Sequence, residues 1–121
     1  MVDMLPRLFF THFRDTSFVA ERNGELAGFL VGFLSQSDSK AAYVHFVGVN
    51  PRERGSGLGR ELYERFFEAA RTNSRRTVSC VTAPANEGSI AFHQAIGFEP
   101  SLPQAGYDGP GEDRVVLTRS I

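Results

Sequence analysis

The chain has 121 residues, 41% hydrophobic and 22% charged, with a formal net charge of −1 and one cysteine, Cys80. That length suits one domain over residues 1–121 and leaves little room for a second. The charge balance excludes bulk attraction to nucleic acid, one thiol excludes an intramolecular disulfide or a thiolate metal site, and the longest apolar stretch, Leu26 to Leu34, is too short to span a bilayer.

The first residues, Met1 to Phe10, include Asp3, Pro6 and Arg7 and lack the apolar core of a signal peptide. With the lone cysteine, this points to the cytoplasm. Leu5, Leu8, Phe9, His12 and Phe13 recur at three- and four-residue spacing, which predicts a short helix. A strand is expected over Ser17 to Arg22, a tight hairpin turn at Asn23-Gly24, and a long second strand over Glu25 to Gln36. Gly28 and Gly32 inside that strand mark bulges or close backbone approach.

Ala42 to Val49 reads as a third strand, and strict alternation puts Tyr43, His45, Val47 and Val49 on one face. A Pro-Arg-Glu-Arg-Gly-Ser-Gly turn leads into an amphipathic helix ending near Arg71. Its Leu58, Leu62, Phe66 and Ala70 form a stripe, and Arg60–Glu64 and Glu61–Arg65 have the spacing of ion pairs. Thr77 to Thr82 is a β-branched strand. Asn86 suits the N-cap of a helix that ends at Gly97, where a glycine belongs, with Phe98 placed to cover the helix end. Ser101 to Glu112 is a loop, and Arg114 to Arg119 closes the chain as a strand. This order gives a mixed α/β sheet with helices on its faces.

The stretch Val47 to Arg60 carries the chemistry. A strand runs into a loop with glycines at 55, 57 and 59, and a helix follows directly. Glycines clear the space around backbone N–H groups, and the helix N-terminus adds aligned amides with partial positive charge. Arg54 and Arg60 add full charges, so the loop is built for phosphate. A nucleoside-triphosphate loop needs Lys-Ser or Lys-Thr after its last glycine, and Arg60-Glu61 stands there. A dinucleotide fingerprint spaces its last two glycines by two residues, whereas one separates Gly57 from Gly59.

Arg54-Gly-Ser-Gly57-Leu-Gly59, preceded by Val47-x-Val49-x-Pro51, resembles the acyl-CoA pyrophosphate loop of the GNAT family of N-acetyltransferases. A second match, Asn86-x-x-Ser89-Ile90-Ala91-Phe92-His93-x-x-x-Gly97-Phe98, is similar to that family's Asn…Ala…Leu-Tyr…Gly-Phe segment. The resemblance covers roughly Glu21 to Phe98. It implies the acyl-CoA N-acyltransferase fold, a mixed and mostly antiparallel sheet with helices on both faces. It also implies acetyl-CoA as co-substrate and direct transfer of its acetyl group to a primary amine of a small molecule or peptide, in a ternary complex without a covalent cysteine.

Under the resemblance, Val47 and Val49 pair through their backbones with the pantetheine arm, in a slot where strands part. Arg54, Gly55, Ser56, Gly57, Leu58, Gly59 and Arg60 hold the pyrophosphate, and Asn86 meets the pantetheine arm or orders a water. His93 stands where the family usually has the Tyr that protonates the leaving thiolate. Two readings stand for it: an imidazolium acid in that role, or a half-buried helix residue. His45 likewise has two readings, a relay for the amine proton or a core histidine bonded to a carbonyl. His12, His45 and His93 lack metal-ligand spacing, so no metal is expected.

The family's first strand and first helix have no counterpart before Leu5, and three readings stand. They are a naturally short member, a truncated chain, or a homodimer, formed through the exposed sheet edge, in which the partner supplies the missing wall. The shortened start and His93 also allow a second function, a non-catalytic acyl-CoA-binding or interaction module of the same fold. A phosphate- or nucleotide-binding protein of another fold is a third reading, and it predicts competition by ATP. No nucleic-acid or membrane partner is expected.

Overall fold

The computed structural model describes residues 7–121. Leu5, the first residue of the expected N-terminal helix, lies outside them; helix α1 spans Leu8–His12. Asn23 and Gly24 both take positive φ, 55° and 78°, the geometry of a two-residue hairpin turn. They join β1 (Phe18–Arg22) to β2 (Glu25–Leu34). Ser17, expected to open β1, instead turns its hydroxyl to the backbone of Gly32. Then come β3 (Ala41–Val49), a single 3-10 turn over Pro51–Glu53, α2 (Leu58–Thr72), β4 (Thr77–Thr82) and α3 (Glu87–Ala95). The chain closes with β5 (Glu99–Pro100) and β6 (Val115–Ser120).

One sheet has the order β1-β2-β3-β4-β6-β5. Only β3 and β4 run parallel, and every other neighbouring pair is antiparallel. The two-residue β5, paired to Thr118 and Leu117, escaped the sequence reading because it is too short to show a period.

Helices cover both faces. On one, Phe9 of α1 stacks on His45 and nearby Phe13 leans on Phe33. On the other lies α2, whose expected stripe is widened by Tyr63 and Phe67. It sits tightly on β2: a Cβ at Gly32 would come within 2.5 Å of the Phe66 ring, which is why no larger residue fits there. Leu30, Tyr63, Phe66, Phe67, Val78 and Leu117 are fully buried in one cluster on this side. The expected pairs Arg60–Glu64 and Glu61–Arg65 are not among the ion pairs of the described residues; Arg60 reaches the carbonyl of Ala95 instead. Exposed pairs of that kind gain too little to hold two long side chains in one geometry.

The alternation expected for β3 fails at one residue. Val31 pairs with Phe46 and Gly32 with Val44, so His45 is an extra residue, a β-bulge. Before it, Tyr43 lies on the α1 face. After it, Val47 and Val49 lie opposite Leu30 and Gly28, on the α2 face. His45 therefore does not share a face with Val47 and Val49. Among the described residues, no helix is long and apolar enough to cross a membrane.

Candidate functional site

The bulge opens the site. β3 and β4 pair only at Ala41–Thr77, Ala42–Val78 and Tyr43–Ser79, although β3 continues to Val49 and β4 to Thr82. A bulge bends its strand and raises the local twist, so β3 turns away from β4 immediately after the last pair. The strands part, and the edge of β3 facing β4 is left without a strand partner over Val44 to Val49.

Below this edge the chain enters the glycine loop. Asn50 starts it, its side chain accepting from the amide of Arg52, and the Ser56 hydroxyl donates to the carbonyl of Glu53. Gly57 caps α2 at φ 86°, a left-handed conformation that side chains resist. With no side-chain cap on this helix end, the amides of Gly55, Gly57, Gly59 and Arg60 donate no hydrogen bond to another described residue. Four unpaired donors at the positive end of a fifteen-residue helix form an anion cradle. Gly59 serves another purpose: a Cβ there would meet the Phe92 ring at 3.0 Å, so it lets α3 approach α2.

The loop, the β3 edge and α3 enclose a groove of about 720 Å³, within the roughly 300–1,000 Å³ of small-molecule sites. Val47, Val49, Arg54, Gly55, Gly57, Leu58, Gly59, Arg60, Asn86 and His93 line it. Ser56 does not, because its hydroxyl is turned back into the loop. Asn86 caps α3 by accepting from the amide of Ser89, which commits its oxygen and leaves its NH2 for a ligand. His45 lies across the sheet from the groove, exposed, with its ring edge-on to Phe46 and stacked on Phe9.

His93 is only 4% exposed, held between α3 and α2. Its Nδ1 lies 2.7 Å from the Ser89 carbonyl, which can only accept, so Nδ1 carries a proton. Its Nε2 is 2.6 Å from the Tyr63 hydroxyl, which donates to it when the ring is neutral. The Tyr63 oxygen in turn lies 3.9 Å from the Cys80 sulfur. Burial pushes His93 below its ordinary value against the pull of the Ser89 carbonyl. Burial likewise pushes Tyr63 well up, and the Cys80 thiol to about 12, so Cys80 is a poor nucleophile. Gly97, at φ 95°, ends α3, and Phe98 folds back so that its amide bonds the His93 carbonyl and its ring packs edge-on against the imidazole.

Sequence reasoning missed Tyr63. It sits one residue beyond the stripe position Leu62, and the signal available was a phenol on a core-facing helix position, which needs a partner when buried. Among the described residues, no group of three His, Cys, Asp or Glu side chains could hold a metal ion.

Residues 2–98 match the model of the acetyltransferase (GNAT) family. The chain belongs to that family. Among its GNAT relatives, an uncharacterized N-acetyltransferase of Methanocaldococcus jannaschii is 34% identical over 89 residues, 70% of this chain and 39% of that protein. The L-2,4-diaminobutyric acid acetyltransferase of Nocardia farcinica is 31% identical over 84 residues, 69% of this chain and 44% of that one. This chain thus spans less than half the length of these two curated relatives. A GNAT acetyltransferase of Elizabethkingia anophelis with acetyl-CoA bound shares the fold, with a TM-score of 0.75 at 17% identity over 98% of this chain and 85% of that one.

Proposed function

We propose that this protein transfers the acetyl group of acetyl-CoA to a primary amine of a small molecule or peptide. The observation that carries the reading is the parting of β3 and β4 beside a helix N-terminus with four unpaired amides. Acetyl-CoA supplies a diphosphate, an arm rich in amide groups and an activated carbonyl. The amides of Gly55, Gly57, Gly59 and Arg60 and the side chain of Arg54 meet the diphosphate. The free edge of Val47 to Val49 and the Asn86 NH2 meet the arm.

The rest of the reading is a proton balance. The amine attacks the carbonyl as its neutral form, so one proton must leave nitrogen and one must reach the departing sulfur. In this reading the amine arrives on the α1 face and meets the thioester through the gap between β3 and β4. His45, exposed on that face, takes the first, and His93, in the groove wall, supplies the second. Diaminobutyric acid, named for the Nocardia farcinica relative, carries two primary amines, and small diamines and amino acids are therefore the first acceptors to try.

A non-catalytic acyl-CoA-binding module is the second reading, favoured by the engagement of both His93 nitrogens by protein partners. Calorimetric titration of acetyl-CoA, with ATP and NAD as controls, tests what the two readings share. Thiol release from acetyl-CoA across an amine panel separates them: release supports transfer, and tight binding without release supports the module. We also propose a cytoplasmic setting, on the free Cys80 thiol, and a homodimer through the outer edge of β1. A clean monomer in gel filtration at high concentration would overturn the dimer.

A further inference from the structure

His93 poses a difficulty for any role as a proton donor. A donor must hold its second proton before the reaction, yet burial works against an imidazolium. The ring therefore needs an acceptor at each nitrogen. The Ser89 carbonyl provides one at Nδ1, 2.7 Å away. The other nitrogen faces Tyr63 at 2.6 Å, and a phenol oxygen either donates or accepts.

We propose that Tyr63 is a positioning residue for His93, turning its hydroxyl to suit either protonation state of the ring, with the Cys80 sulfur accepting the hydroxyl's hydrogen bond when His93 is charged. In the neutral state the Tyr63 O–H donates to bare Nε2. In the charged state Nε2–H donates to the Tyr63 oxygen, and the hydroxyl proton swings to the Cys80 sulfur 3.9 Å away. No proton leaves Tyr63; the phenol rotates and stays neutral. The proton that His93 gives up is the one on Nε2, since Nδ1–H stays on the Ser89 carbonyl. The Nε2–H bond to Tyr63 breaks, the proton passes to the departing sulfur, and the hydroxyl swings back to donate to bare Nε2. Solvent later restores the proton. The groups around the ring are few. Ser89 faces it from α3, Tyr63 from α2 and Phe98 from beyond the helix end. Cys80 of β4 lies behind Tyr63, and Arg119 of β6 sits over the Phe67 ring. The polar partners at the imidazole are thus Ser89 and Tyr63.

This inference rests on His93 as the proton source in the proposed transfer. Its test reads His93 directly, by titrating the three histidine rings of the full chain with nitrogen-detected NMR. The His93→Phe spectrum assigns the signal. Replacing Tyr63 with Phe removes the stronger bond, the one to the charged ring, so the His93 midpoint falls by about one pH unit. The high-pH limb of the kcat profile moves down with it, while KM for acetyl-CoA stays unchanged. Cys80→Ala moves the midpoint the same way by less. A Tyr63→Phe protein that is folded with an unmoved midpoint overturns the inference, even if His93→Phe is inactive. Full turnover by His93→Phe overturns the underlying reading and this inference with it. Should Tyr63→Phe fail to fold, Cys80→Ala decides: a lowered midpoint supports the inference and an unmoved one overturns it.

Discussion

The two faces of the sheet each present a histidine, and they treat it in opposite ways. On the α1 face His45 is exposed, its ring stacked on Phe9 and edge-on to Phe46. On the α2 face His93 is buried, bonded at both nitrogens and pushed toward its neutral form. Residue type is the same, so the difference lies wholly in what surrounds each ring. A group that must accept protons from an arriving substrate benefits from access to solvent. One that must deliver a proton at a fixed place benefits from partners that fix its tautomer and orientation.

The largest way to break the comparison is to remove the buried side. Tyr63→Ala should destabilise the fold by about 3–5 kcal/mol in urea unfolding, whereas His45→Ala should stay within about 0.5 kcal/mol of the parent protein. Equal losses would mean that the α1 face is structural too. Next come the two proposed chemical roles. His93→Phe and His45→Phe should each lower kcat by about 100-fold with acetyl-CoA affinity kept, as read by steady-state kinetics and calorimetry. Undiminished turnover in either returns that histidine to packing.

Smaller again is the effect of the loop. Gly57→Val forces a β-branched side chain into φ 86°, and should weaken acetyl-CoA binding about tenfold or more by distorting the amide cradle. A Cβ at Gly57 meets no atom within 4 Å, so the loss would come from backbone geometry and not from a clash with the protein. Gly59→Asp should also weaken binding, here by driving Phe92 and α3 outward.

The smallest effect is in pH-dependent stability. Burial holds His93 below the ordinary value of about 6.5, so the unfolded chain takes up a proton where the folded one does not. Stability is then full above that pH and drains away as pH falls through the folded value. His93→Phe should flatten the acid side of a melting-temperature profile.

Local chemistry made most of the fold readable in the sequence. Asn23-Gly24 announced its turn, Leu58 to Ala70 its buried stripe, and Gly97 the end of α3, because each acts through neighbours a few residues away. The groove was readable for the same reason, since the loop glycines and the helix that follows are contiguous. What stayed hidden depends on distant chain. The bulge at His45 exists in the register between β2 and β3, and no alternation within β3 alone reveals it. Tyr63 meets a partner thirty residues on, so nothing near it in the chain shows what its hydroxyl bonds.

Gly28 and Gly32 on β2 allow Leu58, Leu62 and Phe66 of α2 to rest directly against the strand. Two anchor points along one helix fix both its height and its tilt, so the amide cradle at its N-terminus is held in register with the β3 edge that β2 also carries. Amide cradle and strand edge then behave as two marks on a rigid gauge. A methyl group added at Gly32, far from any ligand, should lift the helix and misalign those marks, turning a packing defect into a loss of ligand fit.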